Sequence, residues 1–150
     1  MLSAVMDFEK NASAGYLVNH LARLFARGLT ARIKPLGLST GVFPTLLELW
    51  ENDGLTQSQL VQRLDIEQAT MAGTLARMER DGLVLRQRDP SDGRVQRIWL
   101  TPHARGLRQA ATQAAIDENQ AALSHLTEVE RAQFITLMTR ILTGRGAAVA

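Results

Sequence analysis

Arginine is the residue with which this chain could do chemistry. Between positions 77 and 97 stand six arginines (Arg77, Arg80, Arg86, Arg88, Arg94, Arg97) against four acids (Glu79, Asp81, Asp89, Asp92). That excess of two equals the formal net charge of all 150 residues, +2. A planar guanidinium fork matches phosphate and the edge of guanine, so a basic excess gathered in one stretch points to a polyanionic partner. A solvated hairpin would account for any one of these arginines; it accounts poorly for six in 21 residues. Just upstream lie Gln68, Ala69, Thr70, Ala72, Gly73, Thr74 and Ala76. These side chains are small, or end in groups that can bond base edges.

Other chemistries find little support. His20, His103 and His125 are far apart and have no metal-ligand spacing. There is no Gly-rich phosphate loop and no nucleophile elbow. The chain has no cysteine, which rules out disulfides, thiolate metal sites and a thiol redox switch. The expectation is a protein that is not an enzyme, with no cofactor and no metal. Hydrophobic residues at 45% and charged residues at 21% suit one globular domain, and no apolar run approaches the roughly 20 residues of a membrane span. No secretory signal is read at the N-terminus, so the expected location is cytoplasmic, away from any membrane.

The elements that would hold these residues are legible. Thr56 and Gln59 make a T-x-x-Q capping box for a short helix to Leu64, with Leu60, Val61 and Leu64 on its apolar face. Asp65-Ile66-Glu67 is a turn, with Ile66 tucked inward. A second helix, from Gln68 to Asp81, turns Met71, Leu75 and Met78 to the core and leaves a slim outer face that becomes basic at its end. Gly73 costs that helix roughly 1 kcal/mol relative to Ala, which close approach to a groove would justify. Gly82 stops the helix. Two strand-like runs, 83–88 and 94–100, flank the turn-forming Asp89-Pro90-Ser91-Asp92-Gly93. The reading is a helix-turn-helix with a β-wing over 39–101.

Helices flank this unit. After a loose start over 1–10, one runs from Asn11 to Ile33 and closes at Pro35-Leu36-Gly37. The next spans Ser39 to Glu51, with Ser39 as N-cap and Pro44 causing an irregular start or bend. Beyond the wing, Thr101-Pro102 opens an Ala-rich helix to Ser124. Thr127 and Glu130 cap a last helix striped with Leu137, Met138, Ile141 and Leu142 and ended by Gly144, before a frayed tail over 145–150. The terminal helices (11–36 and 102–145) have too little core of their own, so a second copy should cover them in a two-fold homodimer.

The string R-M-E-R-D-G-L-V-x-R-x-x-D-P-x-D-x-R, followed by L-T at Leu100-Thr101, resembles the MarR family of winged helix-turn-helix regulators. The resemblance covers nearly the whole chain and implies one domain over 1–150. The fold would be mainly α with a small β-wing, flanked by long N- and C-terminal dimerisation helices. It implies a homodimeric transcription regulator, most often a repressor, on a pseudo-palindromic operator in double-stranded DNA. By position, Gln68, Ala69, Thr70, Gly73, Thr74 and Arg77 fall on the recognition helix. Arg94 falls where the wing arginine enters the minor groove, and Asp92 where an acid holds it. Thr56, Gln57, Arg80, Arg86 and Arg88 are expected to contact phosphate. Similar proteins seat a ligand between the dimer helices and the DNA-reading unit; Tyr16, His20, Arg23, Phe43 and Trp50 are the candidates here, suited to an aromatic or phenolic acid. Phe43 and Trp50 also read as plain core. The rival function is a winged-helix protein-interaction module without DNA binding, in which the slim helix face docks a partner helix.

Overall fold

A computed structural model describes residues 7–147. The expected loose start and frayed tail therefore lie partly outside the described residues. The first helix, α1 (Ala14–Ile33), begins three residues later than expected. Ser13 caps it by accepting from Tyr16 N–H at 3.3 Å, after a short 3-10 turn over Lys10–Ala12. Its close is as read: Lys34–Leu36 tightens into 3-10 geometry around Pro35, and Gly37 takes a left-handed φ of 75°.

Helix α2 (Phe43–Glu51) corrects the sequence reading. Ser39 is not its cap; residues 40–42 form a turn and Val42 stands at the N-cap. Pro44 then lies inside the first turn, where its missing N–H leaves no intrahelical bond unmade, so it starts the helix rather than bending it. Phe43, Leu46, Leu49 and Trp50 are buried.

The helix-turn-helix forms as the capping and apolar spacing predict. α3 (Gln57–Leu64) carries both halves of the Thr56–Gln59 capping box. Asp65 takes the left-handed conformation in the turn (φ 50°), and Ile66 packs against the core. α4 (Gln68–Arg80) buries Met71, Leu75 and Met78 completely. Gly82 (φ 71°) then releases the chain into β2 (Val84–Arg88), which pairs antiparallel with β3 (Gln96–Leu100) from Val84↔Leu100 to Arg88↔Gln96. A third strand went unread. β1 (Leu55–Thr56) pairs with β3 through Leu55↔Ile98 and Thr56↔Arg97, giving the sheet order β1-β3-β2. The sheet turns Leu55, Val84, Ile98 and Leu100 into the core that α2, α3 and α4 share.

The helix expected over 102–124 is interrupted. α5 (Pro102–Gly106) and α6 (Arg108–Ala122) meet at Leu107, whose N–H turns back to Ala104 O at 3.2 Å. α6 then packs along α1. At their crossing Gly28 leaves room for the Glu118 carboxylate, which accepts from Arg32 Nε at 2.9 Å. The last helix, α7 (Glu128–Gly144), has its Thr127–Glu130 capping box but buries no residue. Leu137, Ile141 and Leu142 stay 56%, 63% and 48% exposed, and α1 shows Leu17, Val18, Leu21 and Leu24 in the same state. The architecture is mainly α with a three-stranded winged sheet, and it leaves two long apolar helix faces uncovered within one chain.

Candidate nucleic-acid interface

The outer face of α4 is exposed at Gln68, Ala69, Thr70, Gly73, Ala76, Arg77 and Arg80. Nothing lies within 4 Å of where a Cβ on Gly73 would be, so the face is open as well as slim. Thr74 is a correction. The resemblance puts it among the recognition-helix contacts, but it is only 8% exposed, because three residues past Met71 and one before Leu75 is the inward face of a helix of 3.6 residues per turn. At the helix start, Gln57 Nε2 donates to Gln68 Oε1 at 3.3 Å, so two nominated residues from different helices meet.

Beside this face the wing and the start of α3 enclose an open cleft. Thr56, Gln57, Arg86, Arg88 and Arg94 all line it, together with Ser58 and Gly93. Five nominated residues from three elements thus converge on one concave, cationic surface. The N-terminal end of α3 adds its partial positive charge to that surface.

The arginines divide by their partners. Arg94 sits at the wing tip with its side chain 92% exposed, and Asp92 grips it. Nε donates to Oδ1 at 3.1 Å and Nη2 to Oδ2 at 3.3 Å, while the Arg94 backbone N–H donates to Oδ1 as well. That fork-on-carboxylate contact and the backbone bond hold the Asp92 carboxyl below the ordinary carboxylate range. Arg86 lies 3.7 Å from Glu79 and is three-quarters covered; Arg80 is mostly free, 3.9 Å from Asp81. Arg97 points the other way. Its Nε donates to Asp89 Oδ2 at 2.6 Å and its Nη1 to Gly54 O at 3.0 Å, tying the wing to the turn just before β1. Asp89 also accepts from the backbone N–H groups of Ser91 and Asp92, and the Arg97 bond is the largest cause of its lowered pKa.

Residues 38–95 match the sequence profile of the MarR family. That stretch is a MarR-family domain. An HTH-type transcriptional repressor of Mycobacterium bovis is 25% identical over 136 residues, which are 91% of this chain and 98% of that protein. Among solved structures, a MarR transcriptional regulator from Methanosarcina mazei superposes with a TM-score of 0.78 at 29% identity, covering 88% of this chain and 94% of that one. A MarR family protein of Mycobacterium tuberculosis, solved in complex with salicylic acid, superposes at 0.69 and 25% identity over 87% and 96% of the two chains. The winged unit is thus the part that the family profile describes, and the superpositions extend over 88% and 87% of this chain.

The ligand residues nominated from the sequence do not come together. Tyr16 and His20 stack edge-on at 6.4 Å on the exposed face of α1, where Arg23 also lies in the open. Phe43 and Trp50 meet edge-on at 6.2 Å inside the core, and the Trp50 indole N–H is spent on Ala104 O at 2.9 Å. Phe43 and Trp50 belong to the face of α2 that packs the winged unit, so the plain-core reading is the right one for both. The concave apolar surfaces of the flanking helices lie elsewhere. One is a groove lined by Val18, Leu21, Ala22, Phe25, Phe134 and Met138; another is a smaller crevice holding Phe25, Leu29, Thr40, Ala115 and Glu118.

Sequence reasoning also missed a knot at the foot of the wing. Asp53 Oδ1 accepts from Leu100 N–H at 2.9 Å, and Gly54 (φ 78°) lies so close beneath Trp99 that a Cβ would sit 2.6 Å from the ring. Asp53-Gly54 reads as an ordinary turn signal; its partners lie 45 residues downstream. Among the described residues no cluster of His, Cys, Asp and Glu could hold a metal ion, and no helix is long and apolar enough to cross a membrane.

Proposed function

We propose that this protein is a homodimeric transcriptional repressor, without catalytic activity, that reads a pseudo-palindromic operator in the cytoplasm. One observation carries the reading: the slim, exposed face of α4 stands beside a cleft lined by Thr56, Gln57, Arg86, Arg88 and Arg94. A major groove about 12 Å wide admits such a helix, and the cleft is shaped and charged for the adjoining sugar–phosphate backbone. In this account Gln68, Thr70 and Arg77 read base edges, while Ala69 and Gly73 let the helix approach. Thr56, Gln57, Arg80, Arg86 and Arg88 position the protein on phosphates, and Arg94, steadied by Asp92, reaches the minor groove.

The chain works as one domain over 1–150, with residues 39–101 reading DNA and the helices on either side forming the dimer. The exposed apolar faces of α1 and α7 support this, because α7 buries nothing within its own chain. Two-fold pairing would place the two α4 helices about 34 Å apart, in successive major grooves. A small aromatic acid is the proposed effector, on the strength of the mycobacterial relative bound to salicylic acid. Calorimetry with salicylate tests that part alone; absence of heat would remove the effector and leave DNA reading standing.

Selection of bound duplexes from a random pool by the purified protein tests the main proposal. The expected product is an inverted repeat with half-sites about one turn apart. Failure to enrich any sequence, with weak binding insensitive to salt, would refute it and leave a protein-docking role for the α4 face.

A further inference from the structure

Trp50 is bonded twice to the segment that leaves the wing. Its indole N–H donates to Ala104 O in α5 at 2.9 Å, and its own carbonyl accepts from Arg108 Nη1, at the start of α6, at 2.8 Å. That carbonyl is among the last in α2, which have no partner within the helix, and a guanidinium at a helix C-terminus meets the negative end of its dipole. Three residues on, Asp53 accepts from Leu100 N–H and, at 3.4 Å, from Arg105 Nη2. The C-terminal end of α2 and the turn after it are therefore strapped at four points to residues 100–108.

This strap spans the one interruption between the winged unit and the long helix beyond it. The chain passes from α5 into α6 through Gly106-Leu107, where helical bonding shortens to Ala104 O. A glycine-bearing break between two helices is a joint with soft backbone dihedrals. α6 continues along α1, and α1 carries one of the uncovered apolar faces. The orientation of each reading unit relative to the dimer body is thus set in part across this joint, beside the contacts of Ile33 and Ala111 with the shared core.

We infer that Arg108 is a positioning residue: by clasping the Trp50 carbonyl it fixes the angle of the winged unit on α6, and so the spacing between the two α4 helices. It lies outside the α4 face and the wing cleft, so it acts through Trp50 and not on DNA. The inference rests on the proposed DNA-reading dimer.

The test uses the full-length protein and a labelled duplex carrying the inverted repeat that wild type selects. The duplex is remade with one base pair added or removed between the half-sites, which shifts one half-site by about 3.4 Å and about 34° relative to the other. Wild type should lose about tenfold in affinity on either altered duplex, the size of a typical mismatch. Arg108→Ala, dimeric and folded by circular dichroism, should bind the original spacing more weakly and hold within about threefold across all three spacings. Trp50→Phe keeps a six-membered ring in the core, loses the indole N–H together with the ring that carries it, and leaves the backbone carbonyl that Arg108 clasps; it should keep more of the spacing discrimination than Arg108→Ala. Arg108→Lys, which can still reach the carbonyl with one donor, should recover part of the discrimination. A folded, dimeric Arg108→Ala with the wild-type spacing profile would overturn the inference while leaving DNA reading intact. A wild type that selects no repeat would overturn the reading beneath it.

Discussion

Arg94→Ala separates a cation that meets DNA from one that holds the wing together. Arg94 stands at the wing tip, 92% exposed, and its side-chain bonds among the described residues go to Asp92 two positions away. Because that pair is exposed and screened by solvent, its loss should move the thermal midpoint only slightly. Binding should change in a defined way. A dimer carries two copies, and each cation placed against the duplex contributes about 0.9 to the slope of log K against log salt, so the slope should become shallower by about 1.8. Between about 50 and 200 mM salt, a fourfold change, the deficit of the variant should shrink about twelvefold, since 1.8 times the logarithm of four is near 1.1. Fluorescence anisotropy over a salt series reads this directly. The contrast is Arg97→Ala. Arg97 is spent on Asp89 and Gly54, so that variant should lower stability and overall affinity while the slope holds. An unchanged slope in Arg94→Ala, or an equal fall in both variants, would refute the division of the arginines.

Other perturbations test separate parts of the structure. Gly54→Ala must place a side chain at φ 78° and within 2.6 Å of the Trp99 ring; the backbone alone should cost about 1–2 kcal/mol, seen in urea unfolding as a lower midpoint with the same m value. Asp89 and Asp92 titrate below their ordinary 3.8 in the folded chain, so the stability they confer is present above that pH and lost as pH falls through the lower folded values. Asp89→Asn should therefore flatten the acid limb of a stability–pH curve measured by denaturant unfolding; an unaltered acid limb would count against the Arg97 latch. Met138→Glu puts a charge into the groove between α1 and α7. Because Met138 is already 37% exposed in one chain, folding should survive, but burying an unpaired carboxylate against a second copy should raise the dimer dissociation constant at least about a hundredfold by sedimentation.

What the sequence disclosed was what is local. Both capping boxes act over three residues, and both form. The inward face of α4 follows from periodicity, and the wing loop from its turn formers. What it withheld depends on distant partners or on features too short to show a period. β1 has two residues and exists only because β3 offers it an edge. Arg97 looked like its five neighbours until Asp89 and Gly54 were found around it. Thr74 is expected at the DNA through the family resemblance, whereas its position one before Leu75 turns it inward. The five ligand residues are alike in chemistry, but the packing of α2 sends Phe43 and Trp50 into the core while Tyr16, His20 and Arg23 stay exposed on α1. The break at Leu107 was hidden by alanines on its far side that favour helix throughout.

The central claim is a two-fold dimer that sets two slim helices into successive grooves. Hydroxyl-radical footprinting of the selected duplex, with the mass of the complex measured on the same sample, tests it most directly. The account predicts two chains per duplex, about 33 kDa of protein from chains of 16.5 kDa each, and two protected windows on one face about 10 base pairs apart. A single window, or one chain per duplex, would contradict it.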